Sequence, residues 1–467
     1  MKKLTIVLSL LLIVATVLSA CSGLTGDQQQ QLQSAAQTVA PIAETKVAEV
    51  APTIAAVATE IAPQVQAAET KIAGAVGDVA QCTACTDPKG CVTLAKDDPL
   101  RLAWLFVVSG ADASLGTDTK QGVEIANDDR PMVAGHKVEL IGEDEGCNAE
   151  GGQAAATKIS SDPKVVAAIG TNCSSAARAG IPLMYAAGIP MVSPSNTAPD
   201  LTAADRPAEY AFYMRTAHND TIQGAAMAKF AIEKGFKNAA TIHDGSLYAD
   251  KLQQVFAEEF KKLGGTIVAQ EATDPTETNM GPMLTRIAAA KPDFIYLPIF
   301  TAAGGQVTSQ AKQNSDLANV QLAGADGIFS QDFLNAAGDA SMGFFWSSPD
   351  FSAFGSGYAD FLAKNEAKYG GAPLAPFHAH AYDGYNLIAN AIEKVAVSCP
   401  DGSTVIPRTA LRDAMIATAD LTGLTGNLTC TPTGDCADPK IAVYQGMSTD
   451  VWNPGAAADS NPMKIWP

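Results

Sequence analysis

The sequence predicts an α/β protein of two similar Rossmann-like lobes, and three observations carry that prediction. Strand-like and helix-like stretches alternate from residue 100 to 195, the alternation restarts near residue 221, and hydroxyl-rich loops follow the apolar runs of the first set. Alternation of this kind builds a parallel sheet with helices on both faces. At 467 residues the chain is too long for one ordinary core, which agrees with two domains plus extras.

Before the lobes comes a leader. Residues 1–21, MKKLTIVLSLLLIVATVLSAC, have two lysines, an apolar run and a small-residue exit, the anatomy of an export signal. Leu18-Ser19-Ala20-Cys21 resembles a bacterial lipobox, which implies cleavage before Cys21 and a lipid on its sulfur that holds the protein at a membrane. Residues 22–96 read as an Ala/Val/Pro-rich stalk or linker. Val39-Ala40-Pro41, Val50-Ala51-Pro52, Ile61-Ala62-Pro63 and Ile72-Ala73-Gly74 recur every eleven residues, which keeps apolar positions on one face of a nearly straight helix. A proline in most repeats interrupts such a helix, so a broken helix and a disordered spacer are both open.

The lobe elements follow in order. LRLAWLFVVSG (100–110) is a buried strand, GTDTKQGVEIANDD (116–129) a helix, HKVELIGEDEG (136–146) a strand and NAEGGQAAATKISSD (148–162) a helix. KVVAAIG, SSAARAGIPLMYAAG and IPMVSPS continue as strand, helix and strand up to residue 195. A second set runs from TIQGAAMAKFAIEKGF at 221 to VQLAGADG at 327, again as helix and strand pairs. Ligands of open α/β sheets sit outside the carboxyl ends of the strands, so two facing lobes enclose a cleft.

The net charge of −18 leaves no basic footprint for nucleic acid or an anionic membrane surface, so an anionic ligand needs a local device. One is available. KVVAAIG delivers the chain to Thr171-Asn172-Cys173-Ser174-Ser175 and a helix, where Ser174 or Ser175 is a natural N-cap. The first-turn N–H groups there carry the positive end of the helix dipole and donate to a carboxylate or phosphate. Ser195 and Thr197 close the neighbouring strand end and can point at the same spot.

VSGADASLGTDTKQGVEIA, GEDEGCNAEGGQAAATKISSDPKVVAAIGTNCSSA, IPMVSPSNTAPDLT and TIHDGSLYADKL together resemble the leucine/isoleucine/valine-binding protein family over about residues 97–467. The resemblance implies a type I periplasmic binding protein: two lobes joined by a three-crossing hinge, serving an ABC permease and ATPase, with no cofactor and no metal. It implies a ligand carboxylate at Ser174, Ser195 and Thr197, with Ser195 able to act through its main chain. The ammonium falls to Asp326, and Tyr248 matches an aromatic that covers the ligand. Leu115 stands where relatives that favour aliphatic ligands carry an aromatic, and Phe300 where a tyrosine is common. His378 and His380 flank APFHAHAYDGYN, which in relatives contributes to the side-chain pocket; their alternation points to one strand or turn face. The amino-acid grip is thus expected to be retained, with the side-chain preference open. An amide, urea-like or aromatic acid ligand, or a sensor subunit, are the alternatives.

The matched crossings fall near Arg215-Thr216, Phe345-Ser347 and Leu428-Thr431. They give one lobe of 97–216 plus 346–429 and another of 217–345 plus 430–467. Apart from Cys21, an even set of eight cysteines in an exported chain reads as disulfides. The resemblance implies Cys147–Cys173. Cys430 and Cys436 enclose the turn sequence TPTGD and are expected to pair locally. Four cysteines then allow three pairings, of which Cys85–Cys91 with Cys82–Cys399 is the one carried forward.

Enzyme signatures are missing from the sequence: there is no Gly-x-Ser-x-Gly elbow, P-loop, His-Glu-x-x-His or strand-linked Gly-x-Gly-x-x-Gly. Ser246 beside His243 and Asp244 is a tempting trio, but neighbours in one short segment rarely point at one another.

Overall fold

The computed structural model describes Cys82 and residues 84–467. The export signal, Cys21 and the repeat-bearing stretch to residue 81 lie outside the described residues. The first set of elements is β1 (Cys91–Leu94), β2 (Leu100–Phe106), α1 (Ala113–Asp129), β3 (Met132–Val133), β4 (His136–Asp144), α2 (Ala149–Ser160), β5 (Val165–Gly170), α3 (Ser174–Ala187), β6 (Met191–Ser193) and β7 (Tyr213–Arg215). They form a sheet in the order β3-β4-β2-β5-β6-β7, parallel except for the short hairpin partner β3. β5 is buried at every position because helices cover both faces, which is why its sequence is a continuous apolar run.

The second set is α4 (Asp220–Glu233), β8 (Asn238–His243), α5 (Leu247–Lys262), β9 (Thr266–Ala272), α6 (Gly281–Ala290), β10 (Phe294–Leu297), α7 (Thr301–Gln313), β11 (Gln321–Gly324), α8 (Gln331–Ala337) and β12 (Phe345–Pro349). The chain then returns to the first lobe with α9 (Tyr358–Tyr369), α10 (His378–Val395), β13 (Val397–Ser398), β14 (Thr404–Pro407), α11 (Arg408–Ile416), β15 (Leu421–Thr422) and β16 (Asn427–Leu428). It ends in the second lobe with β17 (Ile441–Gln445) and β18 (Met463–Trp466), giving the sheet order β18-β17-β12-β11-β10-β8-β9. In each sheet the strand order reverses direction once, between β2 and β5 and between β8 and β10. The carboxyl ends at such reversals are where open α/β sheets leave a crevice.

Three boundaries differ from the sequence reading. Residues 91–94, assigned there to the stalk, form β1, which pairs antiparallel with β14 and buries Val92 and Leu94 in the first core. The stretch Phe345–Ser347, read as a crossing, lies inside β12, held between β11 and β17, so the chain leaves the second lobe after Pro349. The last crossing follows Cys436 rather than Leu428–Thr431, because residues 434–436 still hydrogen-bond to Arg215 of β7.

All four disulfides form as carried forward: Cys82–Cys399, Cys85–Cys91, Cys147–Cys173 and Cys430–Cys436. Among the described residues no helix is long and apolar enough to cross a membrane.

Candidate functional site

The site is built where β2 and β5 end. Gly170 closes β5 at φ +141°, and a side chain there would put its Cβ 2.4 Å from the Leu105 carbonyl oxygen, so the chain can turn into the loop only with glycine. The loop is then fixed from several sides. The Val107 N–H donates to Asn172 Oδ1 at 3.0 Å, Asn172 Nδ2 donates to the Thr119 hydroxyl at 2.9 Å, and Ser193 Oγ donates to the Thr171 carbonyl at 2.7 Å. From below, Glu145 Oε1 accepts the Cys173 N–H at 3.1 Å beside the Cys147–Cys173 bridge. Burial pushes the Glu145 carboxyl up to about 8, so it is largely neutral at pH 7.

The N-cap of α3 is Cys173, with extended backbone and no side-chain cap bond, not Ser174 or Ser175. The bridge occupies the cysteine side chain, which leaves the serines inside the first turn. Ser174 is buried, and its Oγ accepts the Ala198 N–H at 3.4 Å. Ser175 instead reaches the other lobe, accepting the Leu247 N–H at 3.0 Å. Ser195 spends its hydroxyl on the Asn172 carbonyl at 3.1 Å.

The second lobe supplies the opposite wall. Asp326 follows β11 in a short 3-10 turn and is buried; its Oδ1 accepts from Tyr248 Oη at 2.6 Å, Gln223 Nε2 at 3.1 Å and the Gly327 N–H at 3.0 Å. Burial first, and then the Asp326 charge, raise the Tyr248 phenol well above its ordinary value, so it stays a donor. Tyr248 and Phe300 lie with ring centroids 5.0 Å apart. Gly327 has no room for a side chain: a Cβ would sit 2.8 Å from Tyr248 Cε1 and 3.0 Å from the Ile299 carbonyl oxygen.

Leu115, Ser174, Ser195, Tyr248, Phe300 and Asp326 meet around one narrow cavity, joined by Asn172, Gly327 and Phe377. Sequence reasoning missed those last three as site residues, although all three lie in stretches it had singled out. Thr197 is not on this wall. Its buried hydroxyl lacks a well-formed hydrogen-bond partner and turns toward Asp220, whose N–H donates to the Thr197 carbonyl at 3.0 Å.

His378 and His380 belong to the helix α10 and diverge, instead of sharing a strand or turn face. His378 Nδ1 contacts Asp118 at 3.0 Å and its Nε2 the Tyr358 hydroxyl at 2.8 Å, while His380 stacks edgewise on Phe377. Neither lines the cavity. Among the described residues no cluster of three or more His, Cys, Asp or Glu side chains is arranged for a metal ion. The Ser246, His243 and Asp244 trio is spent on local bonds: Ser246 caps Ala249, His243 Nδ1 takes the Gly245 N–H, and Asp244 takes the Ser246 and Phe300 N–H groups.

The lobes are closed on each other, partly by exchanged helix caps. Asp112 of the first lobe accepts the Thr301 N–H at the start of α7 at 2.9 Å, and Asp332 of the second accepts the Ser114 N–H at the start of α1 at 3.2 Å. Lys251 and Asp200 add an ion pair at 3.3 Å. Burial in this closed form raises the Asp112 carboxyl to about 6.

Residues 99–447 match the Periplasmic binding protein family. The Leu/Ile/Val-binding protein BraC3 of Rhizobium johnstonii is 28% identical over 351 residues, covering 72% of this chain and 89% of its own. Among solved structures, the leucine-binding protein LivK of Thermotoga maritima has a TM-score of 0.68 at 25% identity, covering 75% of this chain and 96% of its own. A solute-binding protein of an ABC transporter from R. palustris, in complex with benzoate, has a TM-score of 0.65 at 19% identity, covering 79% of this chain and 96% of its own, a likeness of fold. With a match that spans most of its length and a fold of two sheets hinged around one cavity, the chain belongs to the periplasmic binding protein family, the one that includes the leucine/isoleucine/valine-binding proteins.

Proposed function

We propose that the chain is the solute receptor of an ABC importer and that its ligand is an α-amino acid with a compact apolar side chain, branched-chain or related. Membership of the family implies an extracytoplasmic location. One observation carries the proposal: the same cavity has the N-terminus of α3 with Ser174 and Ser195 on the first-lobe wall and the buried Asp326 on the second-lobe wall. The ligand carboxylate is caught by the first-turn N–H groups and the Ser174 hydroxyl, without any cationic side chain. Its ammonium makes a charge-assisted hydrogen bond to Asp326. Leu115, Phe300 and Phe377 surround the substituent on Cα, and Tyr248 both holds Asp326 and covers the ligand.

A ligand touching both walls stabilises the closed form by its excess affinity for that form over the open one. The permease and ATPase subunits then read closure, and a lipid on Cys21 keeps the receptor near them. The receptor binds and releases its ligand unchanged. A thermal-shift panel of L-leucine, L-valine, L-alanine, leucinamide and benzoate tests this. An amino acid at 100 times its Kd stabilises by about 2.7 kcal/mol. Stabilisation by benzoate or leucinamide with none by any amino acid would overturn the reading. Ligand uptake by the reconstituted importer separates transport from a sensor role.

A further inference from the structure

Behind Asp326 stands a second carboxylate that the amino-acid grip leaves without a role. Asp220 is the first residue of α4, three before Gln223, so the two project from one side of the helix. Gln223 touches Asp326 at 3.1 Å, which places Asp220 beside the same acid. Asp220 is completely buried, yet its carboxylate makes no well-formed hydrogen bond, and the Thr197 hydroxyl is the one side-chain donor turned toward it.

Its surroundings are accounted for element by element. From the loop after β6 comes the Thr197 hydroxyl. From the first crossing comes His218, whose Nε2 lies 2.6 Å from Gln223 Oε1 and 3.6 Å from Asp326 Oδ2, and which burial keeps neutral. From β7 comes Arg215, already committed to Asp435, the Asn196 and Ala198 carbonyls and Thr202. From the second lobe Asp326, Tyr248 and Tyr296 lie within electrostatic reach. A buried carboxylate short of donors is costly, and a neighbouring anion adds to that cost. Burial, and then the Asp326 charge, accordingly drive the Asp220 carboxyl well above its usual range.

We propose that Asp220 is a proton-linked second acid of the ammonium subsite, neutral in the empty receptor and ionised when an ammonium group seats against Asp326. This rests on the amino-acid reading of the cleft. On capture the Asp220 O–H bond breaks, the proton passes to the solvent buffer, and the new carboxylate stands behind Asp326, where the arriving charge offsets the repulsion between the two acids. Binding thus lowers the proton affinity of Asp220, so ligand affinity rises with pH between the bound and free titration points. Asp220 is a positioning residue for charge, acting on the ligand through the pair it forms with Asp326.

Calorimetric titration of the full chain with L-leucine, in phosphate and in Tris at the same pH, counts the protons exchanged. Asp112, which burial raises to about 6 in the closed form, takes up the same fraction of a proton on closure in wild type and in Asp220→Asn, so the readout is the difference between the two. Wild type is expected to release up to one proton more than D220N, and its affinity to gain up to tenfold per pH unit relative to D220N. Should D220N fold poorly, difference infrared spectroscopy of wild type replaces it: leucine should erase a protonated-carboxyl band. Leucine binding with matched proton exchange, or with that band unchanged, overturns this proposal alone. No leucine binding to wild type overturns the amino-acid reading and this proposal with it.

Discussion

Asp326→Asn separates the charge of Asp326 from its shape. The side chain accepts from Tyr248, Gln223 and Gly327 through one oxygen, and an asparagine oxygen keeps those bonds. The other position, now an amide nitrogen, presents N–H to the ligand ammonium in place of an acceptor. Removing one partner of a buried charged pair costs about 2–5 kcal/mol, and 3 kcal/mol is about 100-fold in Kd. At a leucine concentration of 100 times the wild-type Kd, the ligand stabilisation therefore falls from about 2.7 to about 0.4 kcal/mol. In a thermal melt that turns a shift of a few degrees into one near zero. Without ligand the variant should melt no lower than wild type, because it keeps those bonds and no longer buries a charge. A wild-type leucine shift in D326N would refute the reasoning.

Four further outcomes are expected. Ser174→Ala removes one hydrogen bond to the carboxylate and should weaken leucine binding by about 1 kcal/mol, or fivefold, in calorimetry. Gly327→Ala should abolish the leucine shift, since the added methyl enters the cavity wall against Tyr248, with about 1–3 kcal/mol lost from the empty fold. Paired Cys147→Ser and Cys173→Ser substitutions open a link across 26 residues and should cost about 3–4 kcal/mol in denaturant unfolding, along with affinity for leucine. Glu145→Gln tests a pH effect. The folded value of about 8 lies above the ordinary 4.5, so the contribution of Glu145 to stability is complete below pH 4.5 and is lost as pH rises through 8. The amide should flatten that fall in melting temperature, and an unchanged slope would contradict it.

Much of this arrangement is visible in the chain because burial on both sheet faces turns strands such as β5 into unbroken apolar runs, and because loops at strand ends must carry the site. Leu115, Ser174, Ser195, Tyr248, Phe300 and Asp326 come to one cavity for that reason. Other features carry no local signal. Phe377 reaches the cavity from the start of a helix that belongs to neither run of alternation. Asp220 and Gln223, in NDTIQ, look like an exposed helix start, where acidic residues are common; only tertiary packing buries them. His378 and His380 alternate like strand residues, but a period of two across three residues cannot outweigh the apolar spacing of the whole α10. The crossings shift by a few residues because apolar pattern continues through β12 and does not mark where the chain changes lobe.

The most direct test is a crystal structure of the receptor grown with L-leucine. The account predicts the carboxylate at the first turn of α3 beside Ser174 and the ammonium within hydrogen-bonding distance of Asp326, with the lobes closed. Leucine bound away from Asp326, or with its two charged ends exchanged, would contradict it.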